Sequence, residues 1–373
     1  MVSSTPLPPA ASQPLRPLPA QPDGVLWPTA IWPTRPIEDG EVDRLVGELF
    51  ADPTPEAFGH THALVVVQGG EVVVERYGTW FASELHQLAG AATGAVTADD
   101  THISWSMAKS VLHAVCGLLA GDDRLSLDDP PQVPAWSAPD DPRRTITFDH
   151  LLQMRPGLQW LEEYYDLSGD ALPDVVTMLY DPEASLDMAG FAAGFPLVHE
   201  PGSPEAYRYS SGTSNIIAAA AQRIIGGGEA GMRSFLAERL FSLLGMESAD
   251  PRFDAAGTFI ASSYLYATAL DFARFGLLYL RDGIWAGERL LPDGWVDHGR
   301  RVRSRAPDDE HWYGAHWWAD DDEWGTFLAD GFEGQRIYCI PALDLVLVRL
   351  GKTHADHTPT LDAHLKAIAA RFN

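Results

Sequence analysis

The spacing of hydrophobic positions changes along the chain. Ala63-Leu-Val-Val-Val67 is a continuous β-branched run; Gln68-Gly-Gly70 closes it, and Glu71 to Tyr77 follows. Two such runs about a Gly-Gly pair predict a β-hairpin. A second pair lies near the end, Arg336–Ile340 and Leu345–Arg349, around Pro341-Ala-Leu-Asp344. Between the two pairs the period becomes helical. From Met107 to Ala120 the residues Val111, Leu112, Val115, Leu118 and Leu119 make a one-sided apolar stripe, and Gly121-Asp122-Asp123 ends it. The same spacing predicts helices over Phe148–Met154, Ser214–Ile225, Gly231–Leu244, Leu270–Leu280 and Leu361–Phe372. Strands at both ends with helices between them predict an α+β fold. Its expected form is an antiparallel β-sheet flanked by helices and built from both chain ends, with an inserted, mostly helical lobe. The expected boundaries are an extended arm over 1–40, a sheet domain from 41–105 and 245–373, and a helical domain over 106–244.

Composition narrows the function. The chain has 373 residues, enough for a sizeable buried core. Its 26 basic and 52 acidic residues leave a formal charge of -26, which argues against nucleic acid or an anionic membrane as partner. No apolar stretch approaches the length of a membrane span. Met1 to Pro36 is rich in proline, alanine and serine, without the basic start and apolar core of a secretory signal. It is expected to be an arm lying on the surface or disordered, and a cytoplasmic location follows by default. Cys116 and Cys339 sit in apolar runs and are expected to be small core hydrophobes rather than a disulfide framework.

Several chemistries are excluded by pattern. The chain has no Gly-x-Ser-x-Gly elbow, His-Glu-x-x-His or Cys-x-x-Cys. Gly351-Lys-Thr353 lacks the first glycine of a phosphate loop, where Val346 stands. His354-Ala-Asp-His357 is expected to be a polar loop before the last helix, so neither metal nor cofactor is expected. What remains is Ser106-Met-Ala-Lys109. Residues three apart share one helix face. A serine hydroxyl becomes a nucleophile only when a base takes its proton, and lysine serves as that base when burial lowers its pKa. Only three residues are lysine, Lys109, Lys352 and Lys366; the other 23 basic residues are arginine, which cannot deprotonate. Downstream, Tyr207-Arg-Tyr209-Ser-Ser-Gly-Thr-Ser-Asn215 precedes a predicted helix, and a tyrosine there is placed to share or relay a proton.

With these motifs on the page, the chain from about Thr61 onward resembles the serine hydrolases of the penicillin-binding-protein and class C β-lactamase fold. Within them it is most similar to the branch of 6-aminohexanoate-dimer hydrolases and carboxylesterases. Ser106-Met-Ala-Lys109 matches the first motif, Tyr209-Ser-Ser211 the second, and Gly331-Phe-Glu-Gly-Gln335 falls at the third, on a strand lining the cleft. Asp149 to Gly157 resembles the segment leading into the active-site loop. The resemblance implies a β-lactamase/transpeptidase-like fold and an acyl-enzyme on Ser106. It implies Lys109 and Tyr209 as acid–base groups, and the backbone N–H groups of Ser106 and Gln335 as oxyanion hole. Substrate contacts would come from Tyr164, Ser211, Phe332, Glu333 and Gly334. The tyrosine of the loop Glu162-Glu-Tyr-Tyr-Asp166 that meets the substrate is Tyr164, or Tyr165 one register on.

One departure bears on substrate. Where β-lactamases and penicillin-binding proteins carry Lys-Thr-Gly, this chain has Phe332-Glu333-Gly334. The lysine that helps hold a lactam carboxylate is missing and a carboxylate stands nearby. The expected substrates are small esters or linear amides, neutral or amine-bearing. The rival readings are a class C-type β-lactamase or D-amino-acid peptidase of the same fold, and a non-catalytic ligand-binding protein. Trp317 is expected in the core, His316 near the cleft, and Asp320–Glu323 as a solvated turn. Oligomeric state, monomer or homodimer, is left open.

Overall fold

The computed structural model describes residues 14–52, 54–81, 93–165, 172–306, 309 and 311–373. Its strands are β1 (His60–Gln68), β2 (Glu71–Tyr77), β3 (His102–Ile103), β4 (Asp250–Pro251), β5 (Leu265–Ala267), β6 (Ile284–Trp285), β7 (Glu288–Arg289), β8 (Trp312–Tyr313), β9 (Trp318–Ala319), β10 (Phe327–Gly331), β11 (Gln335–Ile340) and β12 (Leu345–Lys352). The main sheet is antiparallel and ordered β2-β1-β12-β11-β10-β9-β8, so the first hairpin docks on the last strand. The hairpin turn is set by Gly69 and Gly70, whose φ values of 61° and 81° are the left-handed pair a two-residue turn needs. A small second sheet, β3-β5-β4, lies where the chain turns into the helical lobe.

Both faces of the main sheet are covered. Ala63, Val65 and Val67 of β1 enter the larger core, together with residues of helices Ala108–Gly121 and Ala269–Leu280. Leu64 and Val66 enter a second core with helices Gly40–Leu49 and Thr358–Ala369. Burial on both faces is why β1 and β12 are continuous apolar runs instead of alternating ones.

Helix Ala108–Gly121 is more central than its stripe implied. Every residue from Ala108 to Leu119 is buried, the polar Lys109, Ser110 and His113 included. Helix Ser211–Ile225 packs on it, so its apolar contacts run all round. The helix expected from Ser214 starts at Ser211, where the Ser210 hydroxyl accepts from Thr213 N at 3.0 Å. The helix expected from Gly231 starts at Gly228 and passes through a π-turn at Ala237–Phe241. Polar first turns carry no hydrophobic period, so spacing alone places such starts late.

Of the two forms expected for the arm, surface-bound or disordered, the described stretch takes the first and is a strap. Residues 1–13 lie outside the described residues. From Pro14 onward, the Arg16 carbonyl accepts from Arg300 at 2.7 Å and the Pro28 carbonyl from Arg274 at 2.8 Å. Gln21 accepts from Arg281 at 2.9 Å, Trp32 is buried, and Thr34 bridges Val72 of β2. Asp320 is half-buried and paired with His311 at 2.6 Å and Lys366 at 2.7 Å, while Asp321 and Glu323 of the expected solvated turn are exposed. Both cysteines are buried and free, and Trp317 is in the core, as expected. Among the described residues no helix is long and apolar enough to cross a membrane, and no group of three or more His, Cys, Asp or Glu is placed to hold a metal ion.

Candidate active site

The first motif begins where β3 ends. Ser104 N donates to Leu265 O at 2.8 Å and its hydroxyl accepts from Leu265 N at 3.2 Å, which fastens this turn to β5. Trp105 then adopts φ 44°, a left-handed conformation costly for a residue with a β-carbon. It is held there by its ring against Phe332 at 5.5 Å and by an indole N–H donated to Glu333 at 3.4 Å. Trp105–Met107 is a 3₁₀ turn that winds into helix Ala108–Gly121. The result is a partly exposed Ser106 over a buried Lys109.

Lys109 Nζ lies 2.9 Å from Ser106 Oγ and donates to Ser211 Oγ at 3.0 Å and to the Ser262 carbonyl at 2.8 Å. Its partners are two hydroxyls and a carbonyl, none of them an anion. Burial therefore lowers its pKa from 10.5 to about 8, while Glu162 and Asp330 act against that shift. Tyr209 packs its ring 5.0 Å from Nζ. The phenol is pushed well above its ordinary pKa by burial, with Tyr313 and Glu162 adding to this and a hydrogen bond with Ser106 opposing it. A phenol held protonated is suited to passing a proton on, and the lysine is the better base of the two. The structure thus brings Ser106, Lys109, Tyr209 and Ser211 together.

The third motif is a hairpin tip. Phe332, Glu333 and Gly334 connect β10 to β11, with φ of 61° and 77° at the last two. The ladder closes at the Gly331–Gln335 pair. A β-carbon on Gly331 would stand 2.4 Å from the Ser104 carbonyl, so only glycine lets β10 lie this close to the nucleophile turn. Gln335 is the last rung of the ladder and buried, with its side-chain amide bonded to Gly351 at 2.5 and 3.0 Å. Phe332 is the residue just past the ladder, on the side of Trp105. Glu333 lies 3.6 Å from Lys352, which offsets part of its charge.

Beside this tip lies a cleft of about 200 Å³ lined by Tyr165, Asp309, Trp318, Asp330, Phe332 and Glu333, among others. Arg336 and His311 also border it but are committed to carboxylates, Arg336 to Asp330 and Asp362 and His311 to Asp320. The loop tyrosines divide their roles. Tyr164 donates its hydroxyl to Glu162 at 2.9 Å and packs its ring on Phe332, whereas Tyr165 lines the cleft between Phe332 and His354. Asp166, the last residue of that loop motif, lies outside the described residues. His316 does not face the cleft; it is buried with Ser214 at 3.0 Å and the Leu152 carbonyl at 2.8 Å. Sequence reasoning missed Glu162 and Ser262 as site residues, because nothing in their spacing ties them to Ser106, and Trp105, because adjacency to Ser106 says nothing of its left-handed φ or its bond to Glu333.

Residues 58–371 match the sequence model of the family described as Beta-lactamase. The chain belongs to this beta-lactamase family. Among characterised members, a 6-aminohexanoate-dimer hydrolase from Paenarthrobacter ureafaciens is 26% identical over 307 residues, spanning 78% of this chain and 72% of the relative. A Bacillus anthracis structure provisionally assigned the same activity superposes with a TM-score of 0.71 at 21% identity, covering 96% of this chain and 91% of that one. EstCE1, described as a hydrolase with promiscuous acyltransferase activity, superposes with a TM-score of 0.67 at 14% identity, covering 88% and 98%. These likenesses carry the mixed α+β fold with its antiparallel sheet, and membership in this family makes the chain a hydrolase.

Proposed function

We propose that this family member is a serine hydrolase that cleaves small esters or linear amides through an acyl-enzyme on Ser106. The observation that carries the reading is a buried lysine 2.9 Å from the oxygen of a partly exposed serine, with no anion against it, so that burial brings its pKa down to about 8. Lys109 takes the Ser106 proton as Oγ attacks the carbonyl carbon. The backbone N–H groups of Ser106 and Phe332 receive the oxyanion; Phe332 replaces Gln335 in this role because it lies past the end of the ladder, above Trp105. The proton then passes through Tyr209 to the leaving group, and water hydrolyses the acyl-enzyme. Tyr165 and Phe332 wall the side where the rest of the substrate lies. The lysine that the lactam branch has for the lactam carboxylate is missing and Glu333 stands beside its place, which supports esters and linear amides, amine-bearing ones included, over β-lactams.

The test is hydrolysis of p-nitrophenyl acetate, with a fluorophosphonate to locate the adduct by mass spectrometry. The expected result is a single adduct on Ser106 and loss of roughly 10³-fold or more in kcat for Ser106→Ala. Nitrocefin is expected to turn over more slowly than the linear ester or the 6-aminohexanoate dimer. Undiminished hydrolysis by Ser106→Ala would end the reading.

A further inference from the structure

We propose that Glu162 is a positioning residue that, acting through the Ser211 hydroxyl, turns the lone pair of Lys109 toward Ser106; this rests on the reading of Ser106 and Lys109 as nucleophile and base. Neutral lysine has two N–H bonds and one lone pair, and Lys109 Nζ has three close neighbours. The Ser262 carbonyl, at 2.8 Å, accepts only. The Ser211 hydroxyl donates its hydrogen to Glu162 Oε1 at 2.6 Å, so toward Lys109, 3.0 Å away, it also only accepts. These two neighbours claim both N–H bonds. The lone pair is left facing Ser106 Oγ at 2.9 Å. When acylation begins, the Ser106 O–H bond breaks and its proton joins Nζ. Oγ bonds to the substrate carbonyl carbon, and the carbonyl π pair moves onto oxygen. The ammonium then holds Ser211 and Ser262 with two N–H bonds and keeps the third aimed at the reacting centre.

Glu162 is itself fixed. Oε2 accepts from Trp160 Nε1 at 2.6 Å and from Ser211 N at 2.8 Å, and Oε1 accepts from Tyr164 as well. The backbone and side chain of one serine are therefore both held by one carboxylate, as a base is oriented by a third group in other nucleophilic sites. The same charge favours the lysine ammonium. Asp330 on β10 acts in the same sense, His316 is kept neutral by burial, which brings its pKa to about 3, and the Tyr209 ring covers the remaining side.

Glu162→Gln removes the charge and turns an N–H donor toward groups that already donate. For p-nitrophenyl acetate its kcat is expected to fall roughly 100-fold, within the range of a positioned acid–base group, with KM changed by about threefold or less. The midpoint of the rising limb of kcat/KM against pH is expected to move to lower pH. Ser211→Ala breaks the same relay with Glu162 intact, and the double variant is expected to be no worse than either single one. Unchanged kcat and pH midpoint in Glu162→Gln, or additive losses in the double variant, would overturn the proposal. If Glu162→Gln does not fold, Ser211→Ala carries the test, and an unchanged kcat there is equally fatal. A wild-type protein that takes no fluorophosphonate on Ser106 would instead remove the nucleophile reading itself.

Discussion

An ammonium buried among a carbonyl and two hydroxyls is poorly compensated, because neutral acceptors replace only part of its water shell. Lys109 is in this position, and burial brings its pKa from 10.5 to about 8, against the pull of Glu162 and Asp330. Between those values the unfolded chain binds a proton that the folded chain does not. The contribution of Lys109 to stability is therefore least favourable below about 8 and improves as pH rises toward 10.5. Lys109→Met is expected to lose hydrolysis yet to be more stable than the wild type at pH 7, by about 2 kcal/mol after the lost hydrogen bonds are counted. The difference narrows on raising the pH toward the ordinary lysine value. Denaturation at two pH values measures both, and a variant that is less stable at neutral pH contradicts the account. In the wild type, ester hydrolysis is expected to rise with pH and level off above about 8, as the lysine becomes neutral.

At the scale of elements, the site is the meeting of two turns. The nucleophile turn runs from β3 into helix Ala108–Gly121, and the β10–β11 hairpin tip lies against it. Two left-handed residues face each other there, Trp105 and Glu333, linked by an indole–carboxylate hydrogen bond at 3.4 Å. Gly331 permits the contact, since a β-carbon would sit 2.4 Å from Ser104 O. Gly331→Ala must push the hairpin tip off the nucleophile turn. A displacement near 1 Å at a reacting centre costs about 100-fold in rate, so kcat is expected to fall by that much. The melting temperature is expected to drop by only about 4 °C or less, because the ladder and both cores stay intact. A large loss of stability with unchanged kcat would show that the contact serves the fold instead. The pattern of the chain marked both partners here as motifs, but it placed the third on a strand. Two consecutive left-handed residues, only one of them glycine, make the tip; the glutamate at the other left no signal of a turn.

At the scale of the whole molecule, residues 14–39 form a belt on the large core. Three buried arginines from distant parts of the chain, Arg274, Arg281 and Arg300, find acceptors on it. Each also pairs with a carboxylate, Asp271, Asp344 and Asp297 in turn, so removing the belt costs their hydrogen bonds to it and takes the buried Trp32 out of the core. A charge-assisted hydrogen bond contributes about 1.5–3 kcal/mol, so deletion of residues 1–36 is expected to lower the melting temperature by about 10 °C. Labelling of Ser106 in the protein that remains folded is expected to persist, since the strap touches none of the site residues described. A truncated protein that melts with the wild type would refute the belt. Composition alone left this stretch as either a surface arm or disorder, because its proline and small residues carry no period; the partners that hold it are arginines far along the chain, 246 residues away in the case of Pro28 and Arg274.

The sequence by itself determined the strands at both chain ends, the helices between them, and the spacing of Ser106 and Lys109, because periodicity and short motifs are local properties. It also contained Tyr209 and Ser211 as a second motif and the glutamate that departs from the lactam branch. Only the tertiary structure decided that Lys109 is buried without an anion against it, which depends on Ser211 and Ser262 arriving from distant segments. The same holds for Glu162, whose hydrogen-bond donors include the backbone and hydroxyl of Ser211, 49 residues on. Such features are set by the close approach of groups far apart in the chain, and spacing along one segment carries no record of that.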